Sequence, residues 1–325
     1  MTPTLSVQNL SVDYELSAAG LFRRRRAVNA VANVSFDIAP GETLGLVGES
    51  GSGKTTVGRA VLRRLAAAQG RILFEGQDIT RLQGDALRRL RARMQIVLQD
   101  PYTSLNPRHR VGEIVAEPLL VHGIAATPEE ARATVRDLLT RVGLPADAAD
   151  RYPHSFSGGQ RQRIGIARAL ALKPALIVAD EPVSALDVSV RAQVVNLMQD
   201  LQRDLGISFL FIAHDLAIVR HISHRVAIMY AGRLVEVAPR EDVYSRPIHP
   251  YTRALLSAVP VADPKVQRTR RRIVHPGESV DIANPPTGCR FHPRCPLATE
   301  QCRNAEPPLL RREGARFAAC WNSGA

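Results

Sequence analysis

Lysine is nearly missing from this sequence of 325 residues: it stands only at 54, 173 and 265, so arginine carries almost all of the 43 basic charges. Cysteine is missing from the first 288 residues; Cys289, Cys295, Cys302 and Cys320 all lie beyond them. In a reducing compartment, thiols clustered in this way speak for a metal or cluster site and against a disulfide framework. No stretch approaches the roughly 18 consecutive apolar residues of a membrane-spanning helix. The first ten residues lack the basic-then-apolar pattern of a signal peptide, so a cytosolic chain, at most peripheral to a membrane, is expected. No internal repeat is visible, which leaves one copy of the core. What is present is an ordinary globular composition, 45% hydrophobic and 23% charged, which excludes disorder, collagen-like repeats and coiled coil. The formal charge of +12 suits a nucleic-acid partner or an anionic membrane surface, and composition does not choose between them.

Two alternations, Leu5, Val7, Leu10, Val12 and then Val34, Phe36, Ile38, have the period of half-buried strands and suggest an antiparallel β start. The run Thr43–Val47 leads through glycine-rich sequence into a helical pattern at 55–65. Further strands are expected at 71–74, 96–98, 176–179, 208–213 and 226–229, with helical sequence at 111–172 and 188–205. Thr127, Pro128 and Glu130 write a helix start, with a hydroxyl cap, proline at the first helical position and an acid to close a capping box, and Gly143 suits its end. Alternating βα units imply a mainly parallel sheet. The pattern breaks down from about 239, where proline and arginine become frequent. A boundary is therefore placed there, giving a motor domain over 1–240, with a helical subdomain at about 101–172, and an irregular extension over 241–325.

Gly48-Glu49-Ser50-Gly51-Ser52-Gly53-Lys54-Thr55-Thr56 fits G-x-x-x-x-G-K-[ST] between a strand and a helix. Glycines let successive N–H groups curl around a phosphate, and the helix N-terminus adds partial positive charge. Lys54 then reaches the β and γ phosphates while the Thr55 hydroxyl ligates Mg²⁺. The apolar run Leu176–Ala179 ends in Asp180 and Glu181. Adjacent strand residues point to opposite faces, so the two acids take different roles: Asp180 in the Mg²⁺ shell, Glu181 as general base for the attacking water.

Ser157-Gly158-Gly159-Gln160, preceded by Phe156 and followed by Arg161-Gln162-Arg163, reads as a serine-capped helix start with two glycines for close backbone approach. It resembles the signature motif of ATP-binding cassette (ABC) ATPases. That resemblance implies a P-loop NTPase fold of the α/β class, a RecA-like core with antiparallel β and helical subdomains. It implies that Gln99 touches Mg²⁺ and senses the γ phosphate, that Ser184-Ala185-Leu186-Asp187 is a D-loop crossing to another subunit, and that His214 contacts the γ phosphate. It also implies a signature segment acting in trans on a second cassette. Tyr14 is the candidate for stacking on adenine, with Phe22 as runner-up.

Within the family, Gln99-Asp100-Pro101-Tyr102-Thr103-Ser104-Leu105-Asn106-Pro107-Arg108 and His249-Pro250-Tyr251-Thr252-Arg253-Ala254-Leu255-Leu256 resemble the ATPases of oligopeptide and dipeptide importers, of the second-ATPase type. The resemblance implies a second homologous ATPase in a heterodimer, two transmembrane permeases, an extracytoplasmic substrate-binding protein, and a place on the cytoplasmic face of a bacterial inner membrane. The segment 101–121, with Leu105 in it, is expected to receive the permeases' coupling helices. Importers of nickel, glutathione or microcin-like peptides share these motifs. A soluble ATPase acting on nucleic acid is the remaining alternative, and it is disfavoured because only 57 residues separate Gln99 from Ser157 and no aromatic-rich basic stretch is present. Arg23–Arg26 reads first as a solvated loop, with lipid phosphates or the permease as the alternative contact.

The spacing of Cys289, Cys295, Cys302 and Cys320 lacks paired C-x2-C knuckles and leaves Zn²⁺, an iron–sulfur cluster and four free thiols open. Gly288-Cys289-Arg290-Phe291-His292-Pro293-Arg294-Cys295-Pro296 resembles the C-terminal module of the peptide-importer ATPases, which implies a 4Fe-4S cluster.

Overall fold

The computed structural model describes residues 2–16, 26–260, 263–269, 272–273 and 280–322. Arg23–Arg25 and the runner-up Phe22 lie outside them, and so does the side chain of Arg26.

The early alternations form the strands Leu5–Leu16 and Arg26–Ile38, and the first of these lies between the second and the strand Gln69–Phe74. Its alternation slips by one residue at Asn9: Val7 and Leu10 are both buried although three apart. Asn9 takes the left-handed region (φ 50), as does Asn33 (φ 51), a conformation that asparagine tolerates better than most residues. The Asn9 amide donates to Ser35 Oγ at 2.8 Å and the Asn33 amide to Ser11 Oγ at 3.0 Å, so side chains satisfy the amides at the irregularity.

The chain forms two compact units. One comprises Met1–Leu5, Ile38–Glu42 and Phe74–Ile212. In it Met94–Val97, Leu176–Asp180 and Ser208–Ala213 are parallel neighbours, with Leu176–Asp180 in the middle. A central parallel strand is buried on both faces, which is why Leu176–Ala179 is continuously apolar. The helices Val111–Val121, Pro128–Arg141 and Gly158–Leu170 pack on one another. At the second of these Thr127 accepts the Glu130 amide as expected, but the Glu130 carboxylate takes the amide of Ala126, one residue earlier than a capping box requires. Leu105, expected at a docking surface, is 2% exposed. It is a core residue, and Tyr102 and Val121, at 58% and 51% exposure, are apolar side chains of that segment that face solvent.

The other unit comprises Ser6–Asp37, Thr43–Leu73 and Ala213–Ala325. Thr43–Val47 pairs parallel with Arg225–Tyr230, which pairs antiparallel with Arg233–Pro239. The sheet continues antiparallel into Phe317–Ala318 and then Leu310–Arg311. The fully buried Glu236 on Arg233–Pro239 reaches into the extension: its carboxylate accepts the Ile248 and His249 amides, each at 2.9 Å. Burial pushes this carboxyl above the ordinary glutamate range, and the amide bonds only partly offset that. His249 in turn caps the helix Pro250–Ser257 by accepting the Tyr251 amide.

Candidate functional site

Residues 48–56 form the expected loop between Thr43–Val47 and the helix Lys54–Val61, with Gly53 as its cap. Gly53 has φ +102, and a Cβ there would sit 2.6 Å from the Ala30 carbonyl oxygen. At Gly48 a Cβ would meet the Met229 carbonyl oxygen at 2.1 Å. The glycines thus serve close approach by neighbouring backbone as well as curvature of the loop. Lys54 is only 5% exposed and donates to the carbonyls of Gly48 and Glu49, both at 2.8 Å. The ammonium is therefore held at its own loop, beside a helix N-terminus, an arrangement suited to a polyphosphate. Tyr14 comes to this loop: its hydroxyl is 3.4 Å from Thr56 Oγ1.

In the other unit Asp180 closes its strand, and Glu181 leaves it in a left-handed conformation (φ 48). That backbone is costly for a side-chain-bearing residue. It is held by the Glu181 amide donating to Ile212 at 2.9 Å and by Ser184, whose amide and hydroxyl both donate to the Glu181 carbonyl. The turn directs the carboxylate to Gln99, whose Nε2 donates to Glu181 Oε2 at 3.2 Å. Two residues expected at one site, 82 positions apart, are thus brought together. Gln162 stabilises this corner by donating to the Leu98 carbonyl at 3.2 Å. Its 2% exposure in an otherwise polar stretch was not legible from helical periodicity. His214 directly follows Ser208–Ala213 and is exposed.

The signature segment forms a complete capping box: Ser157 Oγ accepts from the Gln160 amide, and the Gln160 side chain accepts from the Ser157 amide. Gly159 is obligatory in this packing, because a Cβ would lie 2.2 Å from Val190 Cγ1. Ser157 and Gln160 are exposed, as are Ala185 and Asp187 of the adjoining loop, while Leu186 is buried. Arg191, not anticipated, ties that loop down by donating to the carbonyls of Leu186 and Ser184.

The four cysteines converge in the tail. The Cys289 amide donates to the Cys302 carbonyl at 2.8 Å, and Cys302 and Cys320 are buried. Burial pushes the Cys289 thiol up to about 11, and the other three thiols add to the shift. Cys295 and Cys320 are raised by burial first and by neighbouring thiols next. Among the described residues, however, no group of three or more His, Cys, Asp or Glu side chains forms a ligand set for a metal ion, so neither the Zn²⁺ nor the 4Fe-4S expectation has support in the geometry. No helix of the described residues is long and apolar enough to cross a membrane.

Residues 31–184 match the family described as ABC transporter, and residues 235–302 match the oligopeptide/dipeptide transporter C-terminal region. A putative peptide import ATP-binding protein of Brucella ovis is 53% identical over 319 residues, 98% of each chain. The oligopeptide transport ATP-binding protein AppF of Bacillus subtilis is 52% identical over 304 residues, 93% of this chain and 92% of that one. Among solved structures, a dimeric ATP-binding cassette in a post-hydrolysis state bound to ADP and Pi matches with a TM-score of 0.64 and 27% identity, over 73% of this chain and 98% of that chain. The cbiO1 protein of Clostridium perfringens, part of an ABC transporter complex, matches with a TM-score of 0.65 and 26% identity, over 76% and 92%.

Proposed function

The chain belongs to the ABC family of transporter ATP-binding proteins, and we propose that it is the ATP-hydrolysing motor of an importer for dipeptides or oligopeptides. The observation that carries the substrate class is the match of the extension, at 235–302, to the peptide-importer C-terminal region, alongside about 50% identity to peptide-import relatives.

In this reading the loop amides, with Lys54, hold the β and γ phosphates. The hydroxyl of Thr55, the amide oxygen of Gln99 and the carboxylate of Asp180 are hard oxygen donors of the kind Mg²⁺ takes, and the ion supplies charge neutralisation on the phosphates. Glu181 takes the proton of the attacking water, with its carboxylate oriented by Gln99, and His214 contacts the γ phosphate. Tyr14, already beside Thr56, stacks on adenine. The exposed Ser157–Gln160 helix start and the Ser184–Asp187 loop complete the site of a second, homologous ATPase. ATP binding closes the pair and turns two permeases, fed by an extracytoplasmic binding protein; hydrolysis resets them. The motor works at the cytoplasmic face of the inner membrane. The permeases dock on the segment 101–121, at exposed side chains such as Tyr102 and Val121.

Proteoliposomes carrying the permeases, both ATPases and the binding protein are expected to take up labelled tripeptide in an ATP-dependent way. Uptake of nickel or glutathione in place of peptide would move the protein to one of the related importers.

A 4Fe-4S occupant of the tail rests on the residue types alone, four cysteines being the donor set such a cluster takes; the side chains do not form a ligand set among the described residues. An anaerobically purified chain is then expected to contain about four irons and to absorb near 400 nm. A chain with neither would remove the cluster from the tail.

A further inference from the structure

The second residue of the phosphate loop carries a negative charge where a polyphosphate is to bind. Left alone, Glu49 would repel the ligand that the loop otherwise attracts. The structure does not leave it alone. Arg294 places Nη1 at 3.1 Å and 3.3 Å from the two carboxylate oxygens, and Nη2 at 3.3 Å from Oε1. The Arg294 side chain is 15% exposed and that of Glu49 is 32% exposed, so the pair is partly shielded and its geometry is forked, the arrangement in which arginine binds carboxylate most firmly.

The backbone of the same residue is held as well. The Glu49 amide donates to the Tyr251 hydroxyl at 3.0 Å, and the Glu49 carbonyl accepts from Lys54. Tyr251 is 1% exposed and belongs to an aromatic cluster. Its ring lies 4.6 Å from that of Tyr230 and 5.5 Å from that of Phe291, and the edge of Phe291 meets Tyr230 at 5.1 Å. Tyr230 closes the circuit, its hydroxyl 3.4 Å from Arg294 Nη1. Val280 and Ile282 line the small cleft against Glu49–Ser52. Tyr251, Val280, Ile282, Phe291 and Arg294 all come from the extension.

We propose that the cysteine-bearing extension is a clamp on the phosphate loop, in which Arg294 is a positioning residue that neutralises and fixes Glu49 so that the loop accepts ATP. The proposal rests on the assignment of 48–56 as the nucleotide loop. Arg294 directly precedes Cys295, and Phe291 lies between Cys289 and Cys295, so the fold of the cysteine module sets the position of the clamp. Nucleotide affinity thereby depends on a region that carries none of the family's nucleotide motifs.

The test uses the full chain, with MgATP binding followed by isothermal titration and turnover followed with its natural partner. Arg294→Ala is expected to weaken MgATP binding about tenfold and to raise KM to the same degree while kcat changes less than twofold. Arg294→Lys, which keeps the charge and loses the fork, is expected to fall between Arg294→Ala and wild type. The informative variant is the double one: Arg294→Ala with Glu49→Gln removes the exposed carboxylate and is expected to recover most of the lost affinity. Wild-type affinity in a folded Arg294→Ala chain would overturn the clamp, as would a double variant no better than Arg294→Ala. A wild-type chain that fails to bind MgATP at all would overturn the loop assignment beneath it.

Discussion

Glu181→Gln is expected to lower MgATP turnover about 10²- to 10⁴-fold, the range a positioned general base contributes, while leaving nucleotide binding in place. Glutamine is isosteric, so the strained turn at residue 181 and its bonds to Ile212 and Ser184 are preserved. What disappears is the proton acceptor. With hydrolysis blocked, the ATP-bound pair with the natural partner is expected to accumulate, visible as a Mg-ATP-dependent shift in size-exclusion elution. Turnover within tenfold of wild type would remove Glu181 from the base role, and a variant that stays dissociated in Mg-ATP would remove the trans-acting signature. Gln99→Ala offers a graded companion: losing the 3.2 Å contact to Glu181 is expected to lower turnover less than Glu181→Gln does.

The second large effect is on stability. Glu236→Leu removes the acceptor of two buried amides, those of Ile248 and His249. Each stranded amide costs about 1–3 kcal/mol, and relief of the desolvated carboxyl returns part of this, leaving a loss of about 2–4 kcal/mol. At roughly 2–4 °C per kcal/mol for domains of 150–250 residues, the melting temperature is expected to fall about 5–10 °C, with proteolysis appearing after Pro239. The pH dependence has a definite sign. The folded carboxyl titrates above its unfolded value, so this residue's contribution is complete below the ordinary glutamate range and is lost as pH rises through the raised value. Glu236→Leu is expected to abolish that component. An unchanged melting temperature would show that the extension is not anchored at Glu236.

Local chemistry made much of this legible in advance. The phosphate loop, the Ser157 cap and the Asp180-Glu181 strand end are contiguous segments whose residue types imply their geometry without knowledge of the rest of the chain. Period-two alternation located the first strands, and the three-residue step from Val7 to Leu10 marks the slip, although spacing alone does not say that Asn9 absorbs it in a left-handed conformation. Leu105 misled for a related reason: a leucine among turn residues looks like a surface contact until neighbouring helices bury it. The Glu49–Arg294 pair, 245 residues apart, was beyond reach, since partners at that separation are chosen by tertiary packing. In a chain with 43 basic residues, nothing local distinguishes the arginine that matters.

The antiparallel pairing of Phe317–Ala318 with Arg233–Pro239 bears on how the protein is made. Synthesis runs from the N-terminus, so the ribosome delivers the strand that covers Arg233–Pro239 long after that strand itself. Until then Arg233–Pro239 is a sheet edge with its peptide groups open to pairing with other chains. The nascent protein thus passes through an interval in which aggregation competes with completion, and a message cut short before Phe317 would yield a product stranded in that interval.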